Sequence, residues 1–363
     1  MKNTFGNNIS VTLFGESHGS SVGVVLDGLP AGIKLSEDFI ASKLKQRQPF
    51  KNLSTERNEK DSFHFESGVF NGFSTGTPIC IIIPNTDAVS SDYEELRGIA
   101  RPSHADYTAH VKYNGFEDYR GGGHFSGRVT AGLVVAGAIA ISVLENKGIY
   151  IGTHISKLKG ISDRGFLDVE KDIRDLNSKD FACLSDGISE KMQEAILNAK
   201  KDGDSIGGIL ETCVFGINKG IGEPWFDSVE SMLSHAVFSI PAVKGIEFGL
   251  GFGFVDYFGS ECNDEFILSD GDIKTKSNNN GGINGGISNG MPIIFRTVIK
   301  PTPTISKPQN TVNFIENIET TVTLNGRHDA AIVNRARVVV DSVTALVLCD
   351  LLSQKYGTDW LAD

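Results

Sequence analysis

Two stretches of this chain occur twice, in the same order. SVGVVLDGLPAG (21–32) is echoed by SIGGILETCVFGINKG (205–220) once a four-residue insertion is allowed. SGVFNGFSTGTPI (67–79) matches GGINGGISNGMPI (281–293), with Gly, Gly, Ser, Gly, Pro and Ile in register. Each half then reaches a histidine-bearing polar stretch, GGGHFSGR or GRHDAAIVNR, followed by an apolar helical pattern. The order implies one domain over 1–363 built from two like strand–helix units, approximately 1–160 and 200–363. Chance glycine spacing is the alternative. A duplication would set both histidine stretches beside a pseudo-twofold seam, where one site could draw on both.

A chain of 363 residues is long for a single core, and a duplicated unit accommodates that length. The net charge of −11 argues against a nucleic-acid binder, though a local arginine cluster can still hold a small anion. Five scattered cysteines without a C-x-x-C argue against disulfides and zinc, as expected of a reducing cytoplasm. The opening MKNTFGNNIS has no apolar segment of the secretory kind, and the run LVVAGAIA (133–140) is too short to span a bilayer.

VTLF, VGVVLDG, FHFESGVF and PICIIIP read as strands separated by turns. Ser36 caps a helix over EDFIASKLKQR, with acids in its first turn and bases in its last. Further helices are predicted over 129–146, over 189–203 with Met192, Ala195, Ile196 and Ala199 on one face, and over about 336–354. The polar stretch 161–188 carries no clear pattern.

GESHG (15–19) satisfies the G-x-S-x-G nucleophile elbow, but that motif needs a strand, a sharp turn and then a helix. The residues after Gly19 read as a second strand, so Ser17 and His18 become polar groups in a tight strand connection. In RPSHADYTAH, His104, Asp106 and His110 lack a convincing metal-ligand pattern. An acid–base histidine with a pKa near neutrality, or a structural histidine held by Asp106, fits better. YRGGGHFSGRVTAG runs glycines into a helix start, an anion nest. Arg128 and Val129 replace the lysine and hydroxyl residue that a nucleotide-hydrolysing loop requires. Lys45, Arg47, Lys51 and Arg57 form either a solvated face or a basic loop over an anionic substrate. KPTPTISKP is a stiff loop suited to a flat polar ring edge, and GRHD gathers a guanidinium, an imidazole and a carboxylate.

Taken together and in order, FGESHG, SGVFNGFSTGTPI, NTDAVSSDYEE, RPSHADYT, DYRGGG, GDSIGG, SIPAVKGIEFG, NNNGGINGGIS, KPTPTI and GRHD resemble the chorismate synthase family over nearly the whole chain. The resemblance implies an α+β fold, a duplicated β-α-β sandwich, assembled as a homotetramer. It implies a lyase that eliminates phosphate, anti and 1,4, from 5-enolpyruvylshikimate 3-phosphate to give chorismate with reduced FMN. The flavin is reduced either by NADPH on the protein itself or by a separate flavin reductase.

By position, the resemblance makes His18 a proton donor on the substrate's phosphate side and puts His104 at the flavin N1–C2 edge. Asp329 falls near flavin N5, with Ser17 and Ser126 in support. Arg47, Arg128, Arg327 and Arg335 would hold anionic groups. His124, Phe125, Ser126, Ala242, Gly285, Lys300, Pro301, Thr302, Pro303, Thr304 and Arg327 would cradle the FMN. The family often has three arginines where Gln46, Arg47 and Gln48 stand, and Arg-Ser-Ser-Ala-Arg-Glu where this chain has residues 124–129. A flavin- or phosphate-binding paralogue without turnover and a serine hydrolase using Ser17 are the rival readings.

Overall fold

The computed structural model of the chain describes residues 2–50, 53, 61–86, 96–269, 271–324 and 329–362. Its frame is two five-stranded antiparallel sheets. The first joins Thr4–Phe5 (β1), Ser10–Gly15 (β2), Ser21–Asp27 (β3), His64–Ser67 (β4) and Ile79–Pro84 (β5), in the order β1-β2-β3-β5-β4. The second joins Tyr150–Leu158 (β6), Ile161–Ser162 (β7), Gly208–Phe215 (β8), Val243–Phe248 (β9) and Ile293–Ile299 (β10), in the order β7-β6-β8-β10-β9. The two sheets follow one path, β2-β3-β5-β4 against β6-β8-β10-β9. They differ at one edge, where β1 precedes its neighbour and β7 follows its own.

The helices are Glu37–Arg47 (α1), Asp106–Tyr113 (α2), Thr130–Asn146 (α3), Val169–Ser178 (α4), Ile188–Lys201 (α5), Val229–Phe238 (α6), Gly259–Cys262 (α7) and Val333–Tyr356 (α8). Helices α3 and α8 pack on each other and on their own sheets, with α1 and α6 beside them, so that helices fill the space between two sheets. Both are therefore buried on nearly every face: α3 is apolar almost throughout, whereas α8 also encloses Arg337, Asp341 and Asp350. The helical stretch Gly127–Asn146 is long and apolar enough to cross a bilayer, yet 83% of that window is buried in this core.

The repeat extends to single hydrogen bonds. In the hairpin Val69–Thr75, the Ser74 hydroxyl accepts from the Ile33 N–H (2.9 Å) and donates to the Pro30 carbonyl (2.6 Å). In the hairpin Ile283–Ser288, the Ser288 hydroxyl accepts from the Ile221 N–H (2.9 Å) and donates to the Asn218 carbonyl (2.6 Å). The long helices touch at Gly137, where an added Cβ would lie 2.2 Å from the Ser342 Cβ. These two positions are separated by nearly the same stretch of chain as the two histidine-bearing motifs. A pseudo-twofold axis through the crossing requires that its contacts join equivalent residues.

The predicted strands are present, with FHFESGVF divided between two sheets. Ser36 caps α1 as expected, its hydroxyl accepting from the Phe39 N–H at 3.2 Å. The patternless stretch 161–188 contains α4, which packs on the outside of the second sheet. Helices α2 and α6 had no clear signal: each is short and mixes polar and apolar residues.

Candidate active site

Strands β2 and β3 pair from Ser10↔Asp27 to Gly15↔Val22, so residues 16–20 form a short connection at the sheet's end. No helix follows Ser17, and its hydroxyl does not stand exposed as an elbow nucleophile would. It lies 3.1 Å from His18 Nδ1 and 3.2 Å from the carbonyls of Arg120 and Gly121, which compete for its one proton. Gly121 has φ +58, and a Cβ there would sit 2.2 Å from His18 Cε1, so only glycine lets the imidazole lie against this loop. Arg120 grips Asp118 through two hydrogen bonds (2.8 and 2.9 Å), which hold the Asp118 carboxyl below its usual range. The nearby His18 imidazole pulls in the same direction.

Past the glycines, His124 Nδ1 donates to the Gly15 carbonyl (2.8 Å), and the Ser126 hydroxyl accepts from the Arg128 N–H at the entry to α3. His124, Phe125, Ser126 and Gly127 line a cavity of about 850 Å³. Its opposite walls come from distant segments: Arg101 and His104 before α2, Ala242 before β9, and Lys300, Thr302, Pro303 and Thr304 after β10. The Lys300 ammonium donates to the Ser103 carbonyl (2.7 Å), and its backbone N–H to that of Ala242 (2.9 Å).

His104 is neutral here. Burial, then the neighbouring Arg101 guanidinium, push its pKa down to about 4. This corrects the expectation of a pKa near neutrality. Nor does Asp106 hold it: that carboxylate takes two hydrogen bonds from the Arg101 side chain (2.7 and 2.8 Å). His104 Nδ1 donates to the Pro102 carbonyl (3.1 Å), leaving Nε2 to accept from the Thr304 hydroxyl (2.9 Å). His110 pairs with Glu117 at 3.0 Å.

The arginines form a second cluster, just behind the start of α3. Arg47 is buried rather than on a solvated face, and its Nη1 lies 3.5 Å from Asp61. Arg128 also pairs with Asp61, and donates to the Asn85 side chain (2.9 Å) and the Pro84 carbonyl (3.1 Å). Arg335, in the first turn of α8, pairs with Asp329 and donates to the Arg47 carbonyl (2.7 Å). Asn85 in turn donates to the carbonyls of Glu16 and Gly19 at 2.9 Å each. Asp329 is thus linked to the His18 loop through Arg335, Arg47, Asp61, Arg128 and Asn85.

Sequence reasoning missed Asp61, Asn85 and Arg101. Asp61 hides in the charged run ERNEKDS, and only the fold reveals that its carboxylate is buried. Among the described residues, two expected contacts do not line the cavity. Gly285 is the turn of the Ile283–Ser288 hairpin, and Pro301 packs against Gly207 instead. Arg327, with Lys51 and Arg57, lies outside the described residues.

A cleft walled by four remote segments, with His104 in its wall and a separate buried arginine cluster, is the arrangement of an enzyme's ligand site. The family model for chorismate synthase matches residues 9–353. Chorismate synthase of Pyrococcus abyssi is 47% identical over 347 residues, covering 96% of each chain. That of Thermococcus kodakarensis is 44% identical, covering 96% of this chain and 97% of its own. A crystal structure of chorismate synthase superposes with a TM-score of 0.77 at 29% identity, covering 97% of this chain and 94% of that one. The chain belongs to the chorismate synthase family, a family of lyases with this α+β fold.

Proposed function

We propose that this protein eliminates phosphate, anti and 1,4, from 5-enolpyruvylshikimate 3-phosphate to give chorismate, with reduced FMN in the 850 Å³ cavity. The observation that carries this reading is the convergence of His104, Thr304, Lys300, Ala242 and His124–Ser126 on one volume large enough for a tricyclic ring and its substrate. The cavity also fits a polar ring chemically. The Thr302 hydroxyl is buried without a hydrogen-bond partner among the described residues, a group that a ligand's ring edge would satisfy. Leu13, Leu133 and the exposed face of Phe125 supply apolar cover.

Bound here, reduced FMN would supply electron density for departure of the allylic phosphate and an acceptor for the C6 hydrogen. His104, neutral and oriented by Pro102 and Thr304, is poised to exchange a proton at Nε2. A neighbouring anion would raise its affinity for that proton. His18 donates a proton on the phosphate side, with its ring fixed by Gly121 and Ser17. Arg47, Arg128 and Arg335 bind anionic groups where the N-termini of α3 and α8 add positive potential. Asp329, held by Arg335, serves proton transfer near the ring.

We further read the chain as a duplicated unit that assembles as a homotetramer. Trp225, Phe226, Phe252, Phe258 and Leu268, all 77% exposed or more, support such an assembly. In it, Gly285 could contact a cofactor only from a neighbouring subunit's hairpin.

The test is an anaerobic assay with chemically reduced FMN and 5-enolpyruvylshikimate 3-phosphate, following chorismate absorbance and released phosphate. His18→Ala and Asp329→Ala are expected to lower turnover by roughly 10² or more. Flavin binding without product would sink the proposal. Wild-type rates in both variants would remove the assigned roles.

A further inference from the structure

The carboxylate of Asp61 has no part in the proposed chemistry, yet Arg47 and Arg128 meet through it. Its side chain is 1% exposed. One oxygen lies 3.5 Å from Arg47 Nη1, and the other accepts from Arg128 Nη1. Arg47 Nη2 also donates to the Arg128 carbonyl at 3.3 Å, so the two guanidiniums are held side by side. Arg128 is fixed twice more, by Asn85 and Pro84. Two buried cations this close repel unless a counter-charge lies between them.

We propose that Asp61 is a positioning residue that sets both the geometry and the charge of the phosphate-binding arginine pair. It holds the two side chains in register before substrate arrives. As a buried anion between them, it also weakens their hold on inorganic phosphate, which must leave at the end of each cycle. The inference rests on the reading that Arg47 and Arg128 bind phosphate. Its particular content is that a buried anion makes that binding reversible. A group that only stabilised the fold would have no reason to make phosphate bind less tightly.

The full-length enzyme is titrated with inorganic phosphate by calorimetry, and turnover is measured with and without added phosphate. Asp61→Asn keeps the side chain's shape and removes its charge. It is expected to bind phosphate about tenfold more tightly, or more, because a nearby negative charge that repels phosphate is gone. KM and kcat should both fall, with stronger inhibition by phosphate. Asp61→Glu retains the charge and is expected to bind phosphate within roughly twofold of wild type. Equal phosphate affinity in wild type and Asp61→Asn overturns the inference. Should the Asn variant fail to fold, the Glu variant decides: a change in phosphate affinity of about tenfold, despite the retained charge, overturns it. A wild-type enzyme that turns over but shows no inhibition by phosphate overturns this inference alone, whereas absent turnover overturns the function beneath it.

Discussion

At the scale of single residues, the site is tuned by burial as much as by chemistry. His104 is the clearest case, because its pKa near 4 in the folded protein lies below the ordinary value of 6.5. Between those values the unfolded chain holds one more proton than the folded one, so His104 makes stability fall as pH drops through that window. Above about pH 6.5 the effect is absent. In the His104→Gln variant, the dependence of Tm on pH between about 4 and 6.5 should become shallower. An unchanged slope would mean that His104 is not buried as a neutral base. His154 behaves oppositely. Burial alone would lower its pKa, but hydrogen bonds from its ring to Asp163 and Glu211 raise it. Its stabilising effect is therefore full at low pH and fades as pH rises through the elevated value. Histidines in distinctive motifs, such as His18 and His104, were legible in the sequence. Asp61 was not, because a carboxylate in a charged run looks like any solvated one until the fold encloses it.

At the scale of elements, what the sequence displayed best was repetition and capping. The hairpin serines were visible as matched positions, although their paired bonds to Pro30 and Asn218 emerged only in three dimensions. Helices α2 and α6 were invisible because tertiary contacts, rather than a strong apolar stripe, hold them. The α3–α8 crossing gives the sharpest test. An alanine at position 137 would improve helix propensity by about 1 kcal/mol. Against this, its Cβ would lie 2.2 Å from the Ser342 Cβ and 2.5 Å from the Cα, so one helix must move. Overpacking of that kind costs about 1–3 kcal/mol. A displaced backbone puts this site at the upper end, and the clash outweighs the propensity gain. Gly137→Ala should therefore lower Tm by about 2–3 °C in a thermal melt. A rise in Tm would show that the helices are not in contact there.

At the scale of the whole molecule, the two halves meet at the arginine cluster. Arg128 opens α3, Arg335 lies in the first turn of α8, and Arg47 ends α1 between them. Resemblance to the family made this convergence an expectation. No spacing along the chain could have revealed how closely the segments approach, since that depends on how the sheets enclose the helices. A location on a rotation axis is its own image and so has no twin elsewhere in the fold. A binding centre on such an axis would therefore occur once per polypeptide, although the scaffold is present in duplicate. Equilibrium titration with FMN and substrate should saturate at one of each per chain, whatever the number of subunits. A second equivalent at comparable affinity would mean that each half had kept a centre of its own.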